Sequence, residues 1–213
     1  MRYRDRRDAG KRLAAALVDA DVIGPGDDVV VLGIPRGGVP VAAEVADALG
    51  APLDVLVAHK LGAPGNPEFA IGAVAEDGTV LVDDRLLARI GVRRAYLEDE
   101  AKRQLAEVRR RAEAYRRGRA PVPIEGKTVV VVDDGIATGA TFEVALQLLR
   151  KRGAGKIIAA VPVGPPDSVA RLGAVADAVV VPLQPAEFSA VGAWYDEFGQ
   201  TTDDEVIAAL SGR

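Results

Sequence analysis

Two adjacent carboxylates, Asp133 and Asp134, stand between an apolar run and a string of small residues in the segment VVVVDDGIATGAT, residues 129–141. The apolar run predicts a buried strand, and a helix is predicted to begin at about Thr141. Small residues before a helix present backbone N–H groups at its positive end, an arrangement that binds a phosphate monoester. The residues of this predicted cradle are Ala137, Thr138, Gly139, Ala140 and Thr141.

The two carboxylates require a different kind of partner, because a phosphate beside them would be repelled by their charge. A sugar phosphate offers one, since its vicinal ribose hydroxyls can donate to Asp133 and Asp134, directly or through Mg²⁺. The alternative is an ordinary strand-turn-helix connection in which aspartate and threonine only cap the helix.

A second loop of similar character is GIPRGG, residues 33–38, which also follows an apolar strand and leads into a helix. Its glycines allow the backbone to approach an anion closely, and Arg36 adds a forked positive charge. By itself this sequence is equally typical of a tight turn.

The segment 129–141 resembles the phosphoribosyl pyrophosphate signature of the type I phosphoribosyltransferases: four apolar residues, two acids, a spacer and Ala-Thr-Gly-Ala-Thr. The resemblance implies that residues 137–141 bind the 5-phosphate and that the two acids hold the ribose 2- and 3-hydroxyls. It implies Mg²⁺ as the cofactor, carried by the substrate, with Asp133 and Asp134 as candidate ligands. It also implies a loop that binds the pyrophosphate and that often contains a cis peptide between its first two residues. The residues of this loop are Pro35, Arg36, Gly37 and Gly38.

The resemblance further implies a catalytic flap that brings a basic residue onto the pyrophosphate. Lys60 is the candidate, and His59 is a weaker one because a histidine at a strand end is more often structural. Residues 61–70 are predicted to form the flap loop, which would close over the site and exclude water. The stretch 62–72 is too rich in turn-forming residues for us to expect it in the core, and a hairpin is predicted around residues 76–78.

Aromatic residues are concentrated near the end of the sequence, at Phe188, Trp194, Tyr195 and Phe198. They predict either a hydrophobic plug that fastens the tail or a platform for a base. The tail resembles the purine-binding segment of hypoxanthine-guanine phosphoribosyltransferases, with one extra residue, which makes Phe188, Trp194 and Asp196 candidates for acceptor binding. Those enzymes have an aspartate, proposed as the general base, where this sequence has Ala137, so a hypoxanthine or guanine acceptor is disfavoured.

Apolar runs alternate with helical patterns along the chain, which predicts an α/β fold with an open parallel sheet, Rossmann-like and of the type I phosphoribosyltransferase kind. The loops at the carboxyl ends of such strands carry the site. We expect one domain, residues 1–213, with a flap hairpin, a long inserted helix at about 93–117 and a small hood or tail at about 183–213. The predicted strands are 29–32, 53–58, 128–132, 157–163 and 178–181, and the predicted shorter helices are 6–20, 40–49, 141–152 and 167–172.

The long helix is unusually basic, since residues 93–119 contain ten basic and five acidic residues. Three interpretations remain open: a solvated helix that packs on the domain, a contact between subunits, or a surface that attracts phosphate.

Composition excludes several classes of chemistry. The chain has no cysteine and a single histidine, so disulfides are excluded and zinc sites and Ser-His-Asp triads are disfavoured. A net charge of −4 provides no overall field to attract nucleic acid. The first residues are charged where a signal peptide would be apolar, and no apolar run reaches the length of about twenty residues that a membrane span needs. We therefore expect a cytoplasmic protein with neither a nucleic-acid nor a membrane partner.

The sequence as a whole resembles bacterial phosphoribosyltransferases whose acceptor is unassigned. The predicted function is transfer of phosphoribose from 5-phosphoribosyl 1-pyrophosphate, with Mg²⁺, to a nitrogenous acceptor such as a nucleobase, with release of pyrophosphate. The alternatives are a regulatory protein that binds phosphoribosyl pyrophosphate or a nucleotide without transferase activity, and a hydrolase that acts on pyrophosphate or on sugar phosphates. A homodimer is compatible with this family.

Overall fold

The apolar runs form strands, as their patterns predict, and the helices alternate with them. The computed structural model describes residues 2–211, apart from the side chains of residues 67 and 68. The strands are β1 (Val29–Gly33), β2 (Leu53–Val55), β3 (Ala58–Ala63), β4 (Asn66–Ala75), β5 (Val80–Val82), β6 (Thr128–Val132), β7 (Lys156–Ala160) and β8 (Ala178–Val180). The helices are α1 (Arg6–Asp19), α2 (Gly38–Leu49), α3 (Asp84–Ile90), α4 (Arg94–Arg116), α5 (Ala140–Lys151), α6 (Pro166–Leu172) and α7 (Asp203–Ser211), with a 3-10 helix at Val191–Trp194.

A five-stranded parallel sheet in the order β2-β1-β6-β7-β8 forms the centre of the fold. All five residues of β6 are buried because helices cover both faces of the sheet. Val130 and Val132 pack with α1 and α2, whereas Val129 and Val131 pack with α5. This alternation explains a strand without polar residues, and it confirms the predicted open parallel α/β fold.

Strands β1 and β6 are neighbours, and they end at the same level. Gly33 is paired with Val132, and the Ile34 N–H donates to the Val132 carbonyl over 2.9 Å. The loops that follow these two strands therefore begin side by side at the carboxyl edge of the sheet, where ligands bind in open α/β folds.

A separate three-stranded antiparallel sheet, in the order β3-β4-β5, departs from the predicted structure. The predicted strand 53–58 is divided between β2 in the parallel sheet and β3 in this second sheet. Residues 61–70, predicted as a flap loop, belong to β3, β4 and the tight turn between them, where Ala63 pairs with Asn66. Ala63 and Ile71 are buried, so the expectation that residues 62–72 lie outside the core is wrong at these positions, whereas residues 64–66, 69 and 70 are exposed.

Helix α4 corresponds to the predicted long helix and is fastened at its carboxyl end by a buried ion-pair network. The Arg116 guanidinium donates to Asp54 over 2.7 Å and to both carboxylate oxygens of Glu76. Arg116 and Asp54 are almost completely buried, so each charge depends on its partners. The network joins α4 to both sheets.

Two elements were not predicted, the short helix α3 and the terminal helix α7, which packs against α2 and α4. Val206 and Leu210 of α7 are fully buried. Across residues 2–211, none of the helices combines the length and the apolar character needed to cross a bilayer.

Candidate functional site

The two loops predicted to bind anions lie in direct contact at the carboxyl ends of β1 and β6. A Cβ atom added to Gly37 would lie 2.0 Å from the Asp134 Oδ2 atom, and one added to Gly38 would lie 2.7 Å from the Asp133 Cα atom. No residue larger than glycine fits at either position without displacing the acids. The peptide bond between Pro35 and Arg36 is cis, as the resemblance implies.

The paired acids are held in a poorly solvated setting. The Asp134 N–H donates to Asp133 Oδ1 over 2.8 Å, and the Asp134 side chain is only 15% exposed. Burial raises the pKa of Asp133 well above its usual value, and the Asp134 carboxylate raises it further. Burial also raises the pKa of Asp134, although the Arg6 guanidinium opposes this shift. Hydroxyl donors or a cation would stabilise the ionised pair.

Arg6, which sequence reasoning missed, is part of this site. Its Nε atom lies 2.8 Å from Asp134 Oδ2, and its Nη1 atom donates to the Gly199 carbonyl over 2.6 Å. Its guanidinium also lies 4.0 Å from the centre of the Phe198 ring. Arg6 is one of several arginines at the start of the chain, and the sequence contains no signal that separates it from the others.

The phosphate-cradle loop is oriented from behind by α6. Ser168 Oγ donates to the Ala137 carbonyl over 2.7 Å, and Arg171 donates to the Thr138 carbonyl over 2.6 Å. Gly139 has a left-handed backbone with φ of 72°, and α5 begins at the next residue. The first N–H groups of a helix have no carbonyl partner within it. Two carbonyl groups of the loop accept hydrogen bonds from α6. The backbone N–H groups on the other edge of the loop can therefore bind an anion.

The exposure of the loop fits this use. Its non-glycine residues are exposed: Ala137, Thr138, Ala140 and Thr141. Neither Ser168 nor Arg171 was predicted, because a contact between α6 and this loop leaves no local pattern in the sequence.

A cavity of about 390 Å³ joins the predicted pyrophosphate loop to the acids. It is lined by Arg6, Arg36, Gly37 and Asp134, together with residues 198–201 of the tail. The structure therefore brings together Arg36 and Asp134, which the sequence places almost a hundred positions apart. The tail residues were predicted only as part of a general hood.

Lys60 and His59 lie on β3, at the edge of the site. Lys60 is exposed and pairs across the strand with Ala73, on the same face as Ala58. Ala58 lines a narrow cavity between Pro35 and Thr141. His59 lies on the opposite face of β3. Lys60 is thus on the strand face that borders the two loops, whereas His59 is not.

The three candidate acceptor residues are occupied by contacts within the tail. Phe188 stacks on Trp194 with ring centres 6.5 Å apart and 18° between the planes, in a cluster with Tyr3 and Tyr195. Asp196 is exposed and forms an ion pair with Arg2 at 3.5 Å. The plug interpretation accounts for these contacts. Among the described residues, the indole N–H of Trp194 is buried without a hydrogen-bond partner.

The tail also contacts the acids directly. The hydroxyl of Tyr195 donates to the Asp134 carbonyl, and burial raises the pKa of Tyr195, with the Asp134 charge adding to the shift. Val191 lies so close to Gly135 that a Cβ there would be 2.6 Å from it. The tail therefore forms one wall of the site.

Comparisons with known proteins identify the family of this chain. Residues 3–189 match the family model of the phosphoribosyl transferase domain. The chain is 51% identical over 208 residues to a protein named "Putative phosphoribosyl transferase" in Mycobacterium tuberculosis strains CDC 1551 and H37Rv, covering 98% of this chain and 46% of that protein. The crystal structure of TT1426 from Thermus thermophilus is 50% identical, with a TM-score of 0.87, covering 99% of this chain and 98% of that one.

The chain therefore belongs to the phosphoribosyltransferase family, which confirms the predicted family. It spans about half the length of the curated relatives from Mycobacterium tuberculosis.

Proposed function

We propose that this chain transfers phosphoribose from 5-phosphoribosyl 1-pyrophosphate to a nitrogenous acceptor and releases pyrophosphate. The observation that carries the proposal is the contact between the two loops, in which Gly37 lies against Asp134. The proposal is supported because the positively charged loop lies against the pair of acids, and because Pro35 of that loop and Thr141 at the start of α5 line one cavity.

Each part of the donor has a chemically suitable partner in this arrangement. The 5-phosphate is assigned to the amide edge of residues 137–141, which α6 orients from behind. The ribose hydroxyls are assigned to Asp133 and Asp134, whose buried carboxylates need donors. The pyrophosphate is assigned to residues 35–38 and the Arg36 guanidinium.

The acids also fit the Mg²⁺ that the resemblance implies. Within residues 2–211, no three histidine, cysteine, aspartate or glutamate side chains come together as a ligand set. Mg²⁺ is commonly bound through one or two carboxylates together with substrate phosphates, so an adjacent acid pair beside a phosphate site is sufficient. Asp133 and Asp134 would hold the ion together with the donor. When bound, Mg²⁺ neutralises charge on the pyrophosphate.

The reaction is a displacement at the anomeric carbon. The bond from C1 to the pyrophosphate oxygen breaks with its electron pair going to pyrophosphate, and an acceptor nitrogen forms the new bond to C1. Negative charge therefore grows on the leaving group, where the Arg36 guanidinium and the N–H groups of Arg36 and Gly37 can stabilise it, whereas the Gly38 N–H donates to the Ile34 carbonyl. Lys60, on the strand face that borders the loops, is proposed to approach the same group. The β3–β4 hairpin is proposed to act as the flap that excludes water.

The acceptor is proposed to lie on the tail side of the acids. Phe188 and Trp194 would offer an outer face of their stack to a flat base, and Asp196 would reach the edge of that base after leaving Arg2. Ala137 brings no carboxylate to the acceptor, so the nitrogen that attacks C1 must lose its proton to another group or to water.

Measurement of pyrophosphate release tests this function. The full chain is incubated with phosphoribosyl pyrophosphate and Mg²⁺, and with one purine, pyrimidine or other nitrogen heterocycle at a time. We expect release that depends on one acceptor class. Arg36→Ala and Asp134→Asn should lower it about a hundredfold, because each removes a charge that acts on the reacting group. The exposed Arg94, 74% accessible on α4, provides the control Arg94→Ala, which should behave as wild type.

Three outcomes would contradict the proposal. Equal release without any acceptor would indicate a hydrolase. Stabilisation of the fold by the donor, with no release for any acceptor, would indicate a regulatory protein. Release at the wild-type rate by both Arg36→Ala and Asp134→Asn would show that the site lies elsewhere.

A further inference from the structure

The basic helix α4 turns one of its arginines toward the two anion-binding loops. Arg111 lines the narrow cavity of about 90 Å³ that lies between Pro35 of the first loop and Thr141 at the start of α5. It also lines an adjoining cavity of about 280 Å³ together with Arg36. One arginine side chain thus borders both the pyrophosphate loop and the phosphate cradle.

Arg111 differs from Arg110 and Arg116 on α4 in having no carboxylate within ion-pair distance among the described residues. Arg110 donates to both carboxylate oxygens of Glu107, over 2.7 and 2.8 Å, and Arg116 belongs to the buried network with Asp54 and Glu76. Arg111 instead donates weakly to the Tyr115 hydroxyl over 3.4 Å and stacks over that ring. No carboxylate among the described residues forms an ion pair with it. A half-buried guanidinium without an anion is a poor arrangement for the chain alone.

The carboxylate of Asp203 borders the larger cavity on the side of Arg36 and forms no ion pair with Arg111. The Tyr115 hydroxyl donates to Asp203 Oδ1 over 2.9 Å, and the Arg36 Nη1 atom lies 3.9 Å from the same oxygen. Asp203 stands at the start of α7 and lines the larger cavity with Arg36 and Arg111. Because two anions at this position would repel each other, bound pyrophosphate would replace Asp203 as the partner of Arg36.

We propose that Arg111 binds the pyrophosphate of the donor, opposite Arg36, so that α4 forms one side of the pyrophosphate subsite. This inference rests on the proposed function. Of the three interpretations of the basic helix, it selects the surface that attracts phosphate. The phosphate-binding role is assigned to one residue on the inner face of α4 and not to the overall charge of the helix.

The chemistry favours an arginine at this position. Negative charge increases on pyrophosphate as its bond to C1 breaks, so a fixed guanidinium stabilises the transition state more than the bound donor. The planar fork can donate two parallel hydrogen bonds to phosphate oxygens, whereas a lysine supplies only a point charge. Arg111→Lys should therefore restore part of what Arg111→Ala loses.

Calorimetric titration with the two halves of the donor separates this role from a structural one. Full-length wild type, Arg111→Ala, Arg111→Lys and Arg94→Ala are titrated with pyrophosphate and Mg²⁺, and separately with ribose 5-phosphate. We expect Arg111→Ala to weaken pyrophosphate binding about ten- to a hundredfold, the range for a hydrogen bond to a charged group, and to change ribose 5-phosphate binding less than about twofold. Arg94→Ala also removes one positive charge from α4, but at a position about 25 Å from Arg111 along the helix axis. It should change the binding of neither pyrophosphate nor ribose 5-phosphate.

Each other outcome overturns the inference. If Arg111→Ala weakens pyrophosphate no more than Arg94→Ala does, Arg111 does not contact that ligand. If both ligands weaken equally, or if Arg111→Lys restores nothing, Arg111 has a structural role. If wild type binds neither ligand, the proposed function itself fails. If wild type binds both and only the Arg111 result is negative, the proposed function stands without this subsite.

Discussion

The guanidinium of Arg6 lies 2.8 Å from the carboxylate of Asp134, although the two residues are 128 positions apart in the chain. The contact joins the first helix to the acid pair at the carboxyl edge of the sheet. Both side chains are largely buried, so water screens their attraction only weakly. Arg6 therefore helps to keep Asp134 ionised against the cost of burial.

Arg6→Ala is expected to raise the KM for phosphoribosyl pyrophosphate by about tenfold or more. Without Arg6, the pKa of Asp134 should rise further, so fewer molecules carry an ionised acid to accept a ribose hydroxyl, and the defect should grow as the pH falls. The measurement is the KM between pH 6 and 8. Arg7→Ala, which removes the neighbouring exposed arginine paired with Glu44, is the matched control. Equal KM values for the two variants would exclude this role.

Gly37→Ala is expected to lower pyrophosphate release about a hundredfold, since the new methyl group would lie 2.0 Å from Asp134 Oδ2 and displace the acid. The assay is the acceptor-dependent rate. The control Gly24→Ala adds a methyl group at the opposite edge of the sheet, 3.3 Å from the flexible side chain of Asp27. Full activity in Gly37→Ala would show that contact between the loops is not required.

Ser168→Ala is expected to weaken the binding of ribose 5-phosphate about two- to tenfold while leaving pyrophosphate binding unchanged. The reason is that Ser168 orients the cradle loop directly through the Ala137 carbonyl and also accepts a hydrogen bond from Arg171, which holds the Thr138 carbonyl. Calorimetric titration measures both constants. Ser211→Ala removes a similar bond, from a hydroxyl to the Ile207 carbonyl, far along the chain. If Ser168→Ala binds like Ser211→Ala, the loop does not depend on α6.

Asp133→Asn is expected to raise Tm at pH 7 by about 2 to 4 °C, which corresponds to about 1 kcal/mol in a chain of this size. Because burial raises the pKa of Asp133, the folded chain holds this proton more tightly than the unfolded chain. Wild-type stability therefore falls as the pH rises from the ordinary value of 3.8 toward the raised pKa, and the variant does not carry this penalty. Its advantage should be absent near pH 4 and grow toward neutrality.

Circular-dichroism melting curves in EDTA, without ligand, measure this difference. Asp5→Asn is the control, because the pKa shift of Asp5 has the opposite sign to that of Asp133. A hydrogen bond from the Asp8 N–H lowers the pKa of Asp5. That variant should gain no stability at pH 7. A Tm for Asp133→Asn below that of wild type across the whole range would contradict the account of the acid pair.

Arg116→Ala is expected to lower the free energy of unfolding by about 3–5 kcal/mol, because it leaves Asp54 buried without a cation and leaves Glu76 only the more distant Arg152 guanidinium, at 3.9 Å. Urea unfolding measures the loss, and the exposed Arg119 supplies the control Arg119→Ala. A loss no larger than that of the control would show that α4 is held by its apolar face alone.

The parallel sheet and its two loops could be predicted because their signals are local. A run such as 129–132 has no polar residue only when both faces are covered, and the acids and small residues that follow it occupy consecutive positions. The antiparallel sheet could not be predicted in the same way. Glycines and prolines in residues 62–72 suggest turns, yet Ala63 and Ile71 are buried there because α4 packs against β3 and β4.

The residues missed in the site share one property, which is that their partners are distant in sequence. Arg6 meets Asp134, Ser168 meets Ala137, and Arg111 faces the cavity beside Pro35. Arginine and serine are common on helix surfaces, so no residue type or spacing marks these positions. Only the packing of α1, α4 and α6 around the carboxyl edge of the sheet identifies them.

A crystal structure of the full chain with phosphoribosyl pyrophosphate and Mg²⁺ tests the central claim most directly. We expect the 5-phosphate on the backbone N–H groups of residues 137–141, the ribose hydroxyls on Asp133 and Asp134, and the pyrophosphate beside Arg36. A donor bound with its phosphate elsewhere, or a cradle filled by protein side chains while the donor occupies another cavity, would contradict the account.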